Sequence, residues 1–199
     1  MNTMTLSIIL VVAAVLIGAV LVVLISGRRK SSKNLREKYG SEYDLTLEKS
    51  GNRKAGEKAL QGREDRVNKL DIHDLDAKER NRYQAEWIEI QANFVNDPPK
   101  SVEEGDKLIS KVMSARGFPV NNFEQRAADV SVLFPDFVTN YRNAETIALK
   151  NRSNGASTEE LRQAMVYYRN LFNELLGTAQ GTEAVIKETE LVEEKTVTP

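Results

Sequence analysis

Residues 157–176 read STEELRQAMVYYRNLFNELL, and this stretch decides the fold. Ser157 with Glu160 three residues later is a capping box: the hydroxyl caps a helix start while the glutamate reaches back to the cap's own amide. Leu161, Ala164, Met165, Tyr168, Leu171, Phe172, Leu175 and Leu176 then recur at helical spacing and form the strongest apolar stripe in the chain. Upstream of it the same grammar repeats. Pro135 starts a helix with Phe137, Tyr141, Ala144 and Ala148 on one face, and Asn154-Gly155 breaks it. Asn122 with Gln125 opens a shorter helix carrying Phe123, Ala127, Ala128 and Val130. Ser101 and Glu104 offer a capping box for Val102, Leu108, Ile109, Val112 and Met113, with Gly117 as the C-cap and Pro119 forbidding continuation.

Further back, Asp76 and Glu79 cap a helix whose Tyr83, Trp87, Ile90 and Phe94 fall four, three and four residues apart, and Asn96-Asp97-Pro98-Pro99 ends it. No segment alternates at period two long enough to make a strand. Ser131-Val132-Leu133-Phe134 is the only β-like run, and it is short and bounded by proline. The expected fold is all-α, a compact multi-helix bundle over residues 71–176.

The N-terminal end is different material. No charged side chain precedes Arg28, and Leu6 to Ile25 reads LSIILVVAAVLIGAVLVVLI. Roughly twenty apolar residues at 1.5 Å rise match a ~30 Å hydrocarbon core. A secretory signal peptide would need a basic start, which residues 1–5 lack, and small residues at a cleavage site, for which Ile25-Ser26-Gly27-Arg28 is a poor candidate. A retained transmembrane helix is therefore expected over 6–26, behind an N-terminal stub of residues 1–5. Arg28, Arg29, Lys30, Lys33, Arg36 and Lys38 follow it against the single Glu37. Positive charge on that flank is held on the cytoplasmic side, so the expectation is a single-pass protein of the bacterial cell membrane, N-out and C-in. Arg28, Arg29, Lys30 and Lys33 are placed to meet anionic lipid headgroups, although a stop-transfer flank with no further role is the plainer reading of them.

Residues 27–70 read as a basic juxtamembrane flank and a helical stalk. Leu35, Tyr39, Tyr43 and Leu47 lie four apart on one helical face, and Ser50-Gly51-Asn52 interrupts it, which leaves one helix or two. After Gly177 the chain turns to Thr, Glu, Gly and Val without an aromatic residue, and residues 177–199 are expected to be a disordered acidic tail.

Composition removes several classes of function. With 28 basic and 29 acidic residues the net charge is -1, so the electrostatic case for a nucleic-acid partner is missing. The absence of cysteine excludes disulfides, thiol nucleophiles and thiolate metal sites, and one histidine excludes His-rich zinc or iron sites.

Four stretches occur together and in order: Arg36-Glu37-Lys38-Tyr39-Gly40-Ser41-Glu42-Tyr43-Asp44, Arg116-Gly117-Phe118-Pro119, Phe123-Glu124-Gln125-Arg126-Ala127-Ala128-Asp129 and Ser157-Thr158-Glu159-Glu160-Leu161-Arg162-Gln163-Ala164-Met165. On these the chain resembles an uncharacterised family of bacterial proteins with one N-terminal membrane helix and a helical domain. The resemblance spans roughly Asn34 to Leu176. It implies the same architecture and brings no assigned activity with it. Some members carry histidines where this chain has Phe134 and Glu145, so imidazole chemistry is not expected at those positions here.

The search for chemistry yields one cluster. Glu124, Arg126 and Asp129 share a short helix, and Tyr141 follows on the next. Paired carboxylates could do acid–base work with Arg126 binding an anion; an ion pair that fixes helix packing is the plainer reading. His73 could be oriented by Asp71 or Asp74, yet it sits in a linker without a visible nucleophile. Glu103, Glu104 and Asp106 would fan around an exposed helical face and lack the oxygen-rich loop of a calcium site. Tyr167, Tyr168 and Arg169 could stack on a base, but Tyr168 belongs to the apolar stripe. Thr46, Ser131 and Ser157 have no base nearby, and no phosphate loop, nucleophile elbow or metalloprotease signature occurs. No catalytic, cofactor-binding or metal-ligating set is assigned.

Three functions are compatible with this reading. A protein-interaction or scaffold module at the cytoplasmic membrane face accounts for the anchor, the spacer and the bundle. A membrane-bound enzyme using carboxylate and arginine residues would need a concave pocket gathering Glu124, Arg126 and Tyr141. A regulator sensing lipid or a small ligand would need a sizeable apolar cavity between helices.

Overall fold

The computed structural model describes residues 31–177; the expected stub, the expected span at 6–26, Arg28, Arg29 and Lys30, and residues 178–199 lie outside the described residues. The described residues are helical throughout, with connecting turns and no strand. None of their helices is long and apolar enough to cross a membrane. The chain divides into two units, Met1–Leu60 and Gln61–Pro199.

In the first unit residues 31–39 are helical, Gly40 turns the backbone at φ +50°, and α1 runs over Ser41–Ser50. Gly51 closes α1 in the left-handed conformation, a place where an L side chain costs energy, and α2 (Arg53–Val67) follows. Residues 31–67 are thus three helical segments, of which α1 and α2 fold back on each other. The Gly56 backbone lies so close to Leu47 that a Cβ on Gly56 would come within 2.7 Å of Leu47 Cδ1. Of the four residues spaced by four, Leu35, Tyr39 and Tyr43 are buried and Leu47 is partly exposed. Glu57 fastens the hairpin by accepting from the Tyr43 hydroxyl at 2.8 Å and from Arg53 Nε at 2.7 Å.

The second unit takes the end of α2 and then α3 (Ala77–Asn93), α4 (Pro98–Ala115), α5 (Phe123–Leu133), α6 (Pro135–Arg152) and α7 (Thr158–Leu176). Capping boxes at Asp76/Glu79 and Ser157/Glu160 start α3 and α7 as their sequences imply, and Asn122 caps α5. The expected box at Ser101/Glu104 does not form. Pro98 is pre-set for a first turn, so α4 starts one turn earlier, Asp97 accepts from the Lys100 amide at 3.1 Å, and Ser101 is buried inside the helix. The α7 stripe packs against α6 and α4, α4 against α3, and α5 against α6. Trp87 of α3 stacks on Phe172 of α7 with centroids 4.9 Å apart, the centre of the core.

Arg116 ties the ends together. Its buried guanidinium donates to the carbonyl of Leu175 at 2.9 Å, to the carbonyl of His73 at 3.1 Å and to the carboxylate of Asp74 at 2.9 Å. A cation there satisfies an otherwise unpaired carbonyl at the C-terminus of α7 and favours the helix dipole. Gly117 follows with φ +91°, which brings the chain against the linker carbonyl of Asp71.

Candidate functional site

The cluster read from the sequence separates into three places. Glu124 is exposed at the start of α5 and accepts from Arg142 at 3.1 Å. Asp129, fully buried, accepts from Arg66 at 2.6 Å and from the Gln125 amide at 3.0 Å. Only Arg126 and Tyr141 meet: Arg126 Nε donates to the Tyr141 hydroxyl at 2.9 Å. His73 remains in the linker, with its Nδ1 3.1 Å from the carbonyl of Asp71.

The carboxylate that Arg126 does hold is Asp106, at 3.1 Å from Nη2. Asp106 does not fan out with Glu103 and Glu104. It follows Val102 by four residues and precedes Ile109 by three, so the helical repeat turns it toward the core. The same geometry places Glu145 four residues after Tyr141 and three before Ala148, on the buried face of α6. Tyr168 arrives from α7, fully buried, with its ring edge-on to Tyr141 at 6.2 Å.

Together these side chains form one ionisable network inside the bundle. Burial raises the Asp106 carboxyl above the usual range, against the pull of Arg126 and Arg152. Glu145 is raised too, first by burial and then by the charge of Asp106. Burial would lower the Arg126 guanidinium, but Tyr141 and Asp106 hold it above its ordinary value. Both phenols are raised by burial and by the neighbouring carboxylates. Arg152 reaches Glu145 Oε1 at 3.4 Å, a weak contact from a half-exposed side chain. Glu145 Oε2 and the Tyr168 hydroxyl have no hydrogen-bond partner.

The network meets the surface at a groove of about 800 Å³ in which Asp106 and Arg126 are joined by Tyr83, Ser110, Ser114 and Lys111. Asp106 can hold or release a proton there, and Arg126 can neutralise it. Lys111 is occupied by Glu86 at 3.0 Å. Among the described residues no set of three His, Asp or Glu side chains is arranged to hold a metal ion. The sequence carries a signal for Asp106 and Glu145, since each falls on the apolar period of its own helix. Comparison with protein-family models, with curated proteins and with solved structures finds no match to the chain.

Proposed function

We propose that the chain is a single-pass protein of the bacterial cell membrane whose helical bundle works by binding another protein at the cytoplasmic face. Anionic lipid beside Arg28, Arg29, Lys30 and Lys33 would steady the anchor. The observation that supports this reading best is the way Arg126 is spent. Its guanidinium is committed to Asp106 and Tyr141, so the polar cluster serves packing, while the groove beside it is open and of mixed polarity. Catalysis needs converging polar groups, and the groove does not gather Glu124 or Tyr141.

Two experiments test it. A C-terminal alkaline phosphatase fusion should be inactive and a C-terminal fluorescent protein bright; the reverse pair would put the bundle outside the membrane. The cellular phenotype should survive Glu124→Gln and His73→Ala and be lost when the anchor is removed. Loss of phenotype in either substituted protein, at normal folding and membrane level, would replace binding by chemistry.

A carboxylate–arginine enzyme is the second reading, and one observation favours it: Asp106 sits in the groove wall with its carboxyl raised, as a general acid would. Asp106→Asn separates the two. It abolishes an acid catalyst and leaves a binding surface nearly the same shape.

A further inference from the structure

We propose that Asp106, Glu145 and Tyr168 form a proton-binding site in the interior of the bundle, where one proton and one ordered water are held between α4, α6 and α7. The argument begins with atoms that have nothing to bond. Tyr168 is 0% exposed and Glu145 8%, yet the phenol and Glu145 Oε2 lack partners. An unpaired buried carboxylate oxygen or hydroxyl is costly, and native interiors meet that cost with water or with a proton.

Charge counting then points to the proton. Two carboxylates act on each other and on the Tyr168 hydroxyl there, Asp106 and Glu145. The guanidinium buried with them, Arg126, is directed at Asp106 and at the Tyr141 oxygen. Arg152 touches only Glu145 Oε1, from the rim, and Lys107 acts on Asp106 only through space. Tyr141 and Tyr168 add hydroxyls and no positive charge. One negative charge is left under-compensated, and like charges in one buried site favour retention of a proton. Tyr141 also accepts from Arg126, which leaves its own proton available for donation.

A proton on Oε2 turns Glu145 into a donor. One water that accepts from Glu145 and from Tyr168, and donates toward Asp106, completes the set. Asp106 reaches the groove, which gives the proton a route to solvent. The site is thereby a coupling between the acidity of the surroundings and the fit of α4, α6 and α7.

Infrared spectroscopy of the full-length protein at pH 7 decides it. The expected spectrum has the carbonyl absorption of a protonated carboxyl group. That absorption should be lost in Glu145→Gln or in Asp106→Asn, and shifted in Tyr168→Phe, which removes only a hydroxyl. Its absence from the unsubstituted protein, its persistence in both carboxyl variants, or an unshifted band in Tyr168→Phe would overturn the proposal. If both carboxyl variants fail to fold, the unsubstituted protein and Tyr168→Phe still decide the matter.

Discussion

Asp129 of α5, with no exposed side-chain surface, accepts a 2.6 Å hydrogen bond from Arg66, the residue before the last of α2. The two partners are unequal, because Arg66 keeps 39% of its side-chain surface in water. Their removal should therefore be unequal. Arg66→Ala leaves a buried carboxylate with little more than the Gln125 amide, and should cost about 3–5 kcal/mol. Asp129→Ala leaves a guanidinium that can turn to solvent, and should cost about 1–3 kcal/mol. Urea unfolding of the two variants measures both; equal losses would mean that Asp129 is hydrated.

Trp87 is 1% exposed and stacked on Phe172. Trp87→Ala removes the largest side chain in the core, and the structure around such a cavity relaxes only partly. A loss of about 3–5 kcal/mol in thermal or urea unfolding is expected. A change below ~1 kcal/mol would show that the indole is not held in the core.

What the sequence discloses and what it hides follow one physical rule. Stripe residues such as Leu161, Tyr168 and Phe172 are legible because apolar burial repeats with the helical period. Asp106 and Glu145 lie on that period as well, at four and three residues from apolar neighbours, but a carboxylate there reads as an exposed residue until its partner is known. The partner of Asp106 is on another helix, 20 residues away. Asp129 is visible as a candidate, while Arg66, its cation, is 63 residues earlier in a stretch that reads as a stalk. The all-α class rests on local periodicity; the composition of the site rests on long-range pairing that no local pattern encodes.

Two glycines in the left-handed region should respond differently to alanine. Gly177 ends α7 at φ +71°, and a Cβ added there would meet nothing within 4 Å, so Gly177→Ala should cost only ~1–2 kcal/mol of backbone strain. At Gly117, φ +91°, a Cβ would overlap the carbonyl of Asp71. Gly117→Ala has to displace the linker as well, and with it the bond from the His73 amide to the Arg116 carbonyl. Its cost should exceed that of Gly177→Ala, and hydrogen exchange at His73 should rise in Gly117→Ala alone.

The raised carboxyls of Asp106 and Glu145 fix the sign of one pH dependence. A folded state that keeps its proton more tightly than the unfolded chain is favoured most below the ordinary carboxylate pKa. That contribution is lost as the pH rises through the folded values. Glu145→Gln cannot ionise, so its stability relative to the parent should increase as the pH rises from the ordinary carboxylate pKa through the folded value. A relative stability that stays constant across that range would mean that Glu145 ionises alike in the folded and unfolded chain.

Glu57 predicts the opposite slope for the hairpin of residues 31–60. Burial alone would raise its carboxyl, but hydrogen bonds from Arg53, Ser32 and Tyr43 together bring it below the usual value. A depressed folded value means that the carboxylate's contribution is present above the unfolded pKa of ~4.3 and disappears as the pH falls through the folded one. Hydrogen exchange in α1 and the first half of α2 should therefore quicken on acidification, relative to exchange in the α7 core. Glu57→Gln keeps the shape but accepts more weakly from Arg53, so its hairpin should exchange faster than the parent's at pH 7, and its exchange relative to the α7 core should change little between pH 7 and pH 3. If the parent hairpin shows no more acid sensitivity than this variant, Glu57 does not fasten α1 to α2.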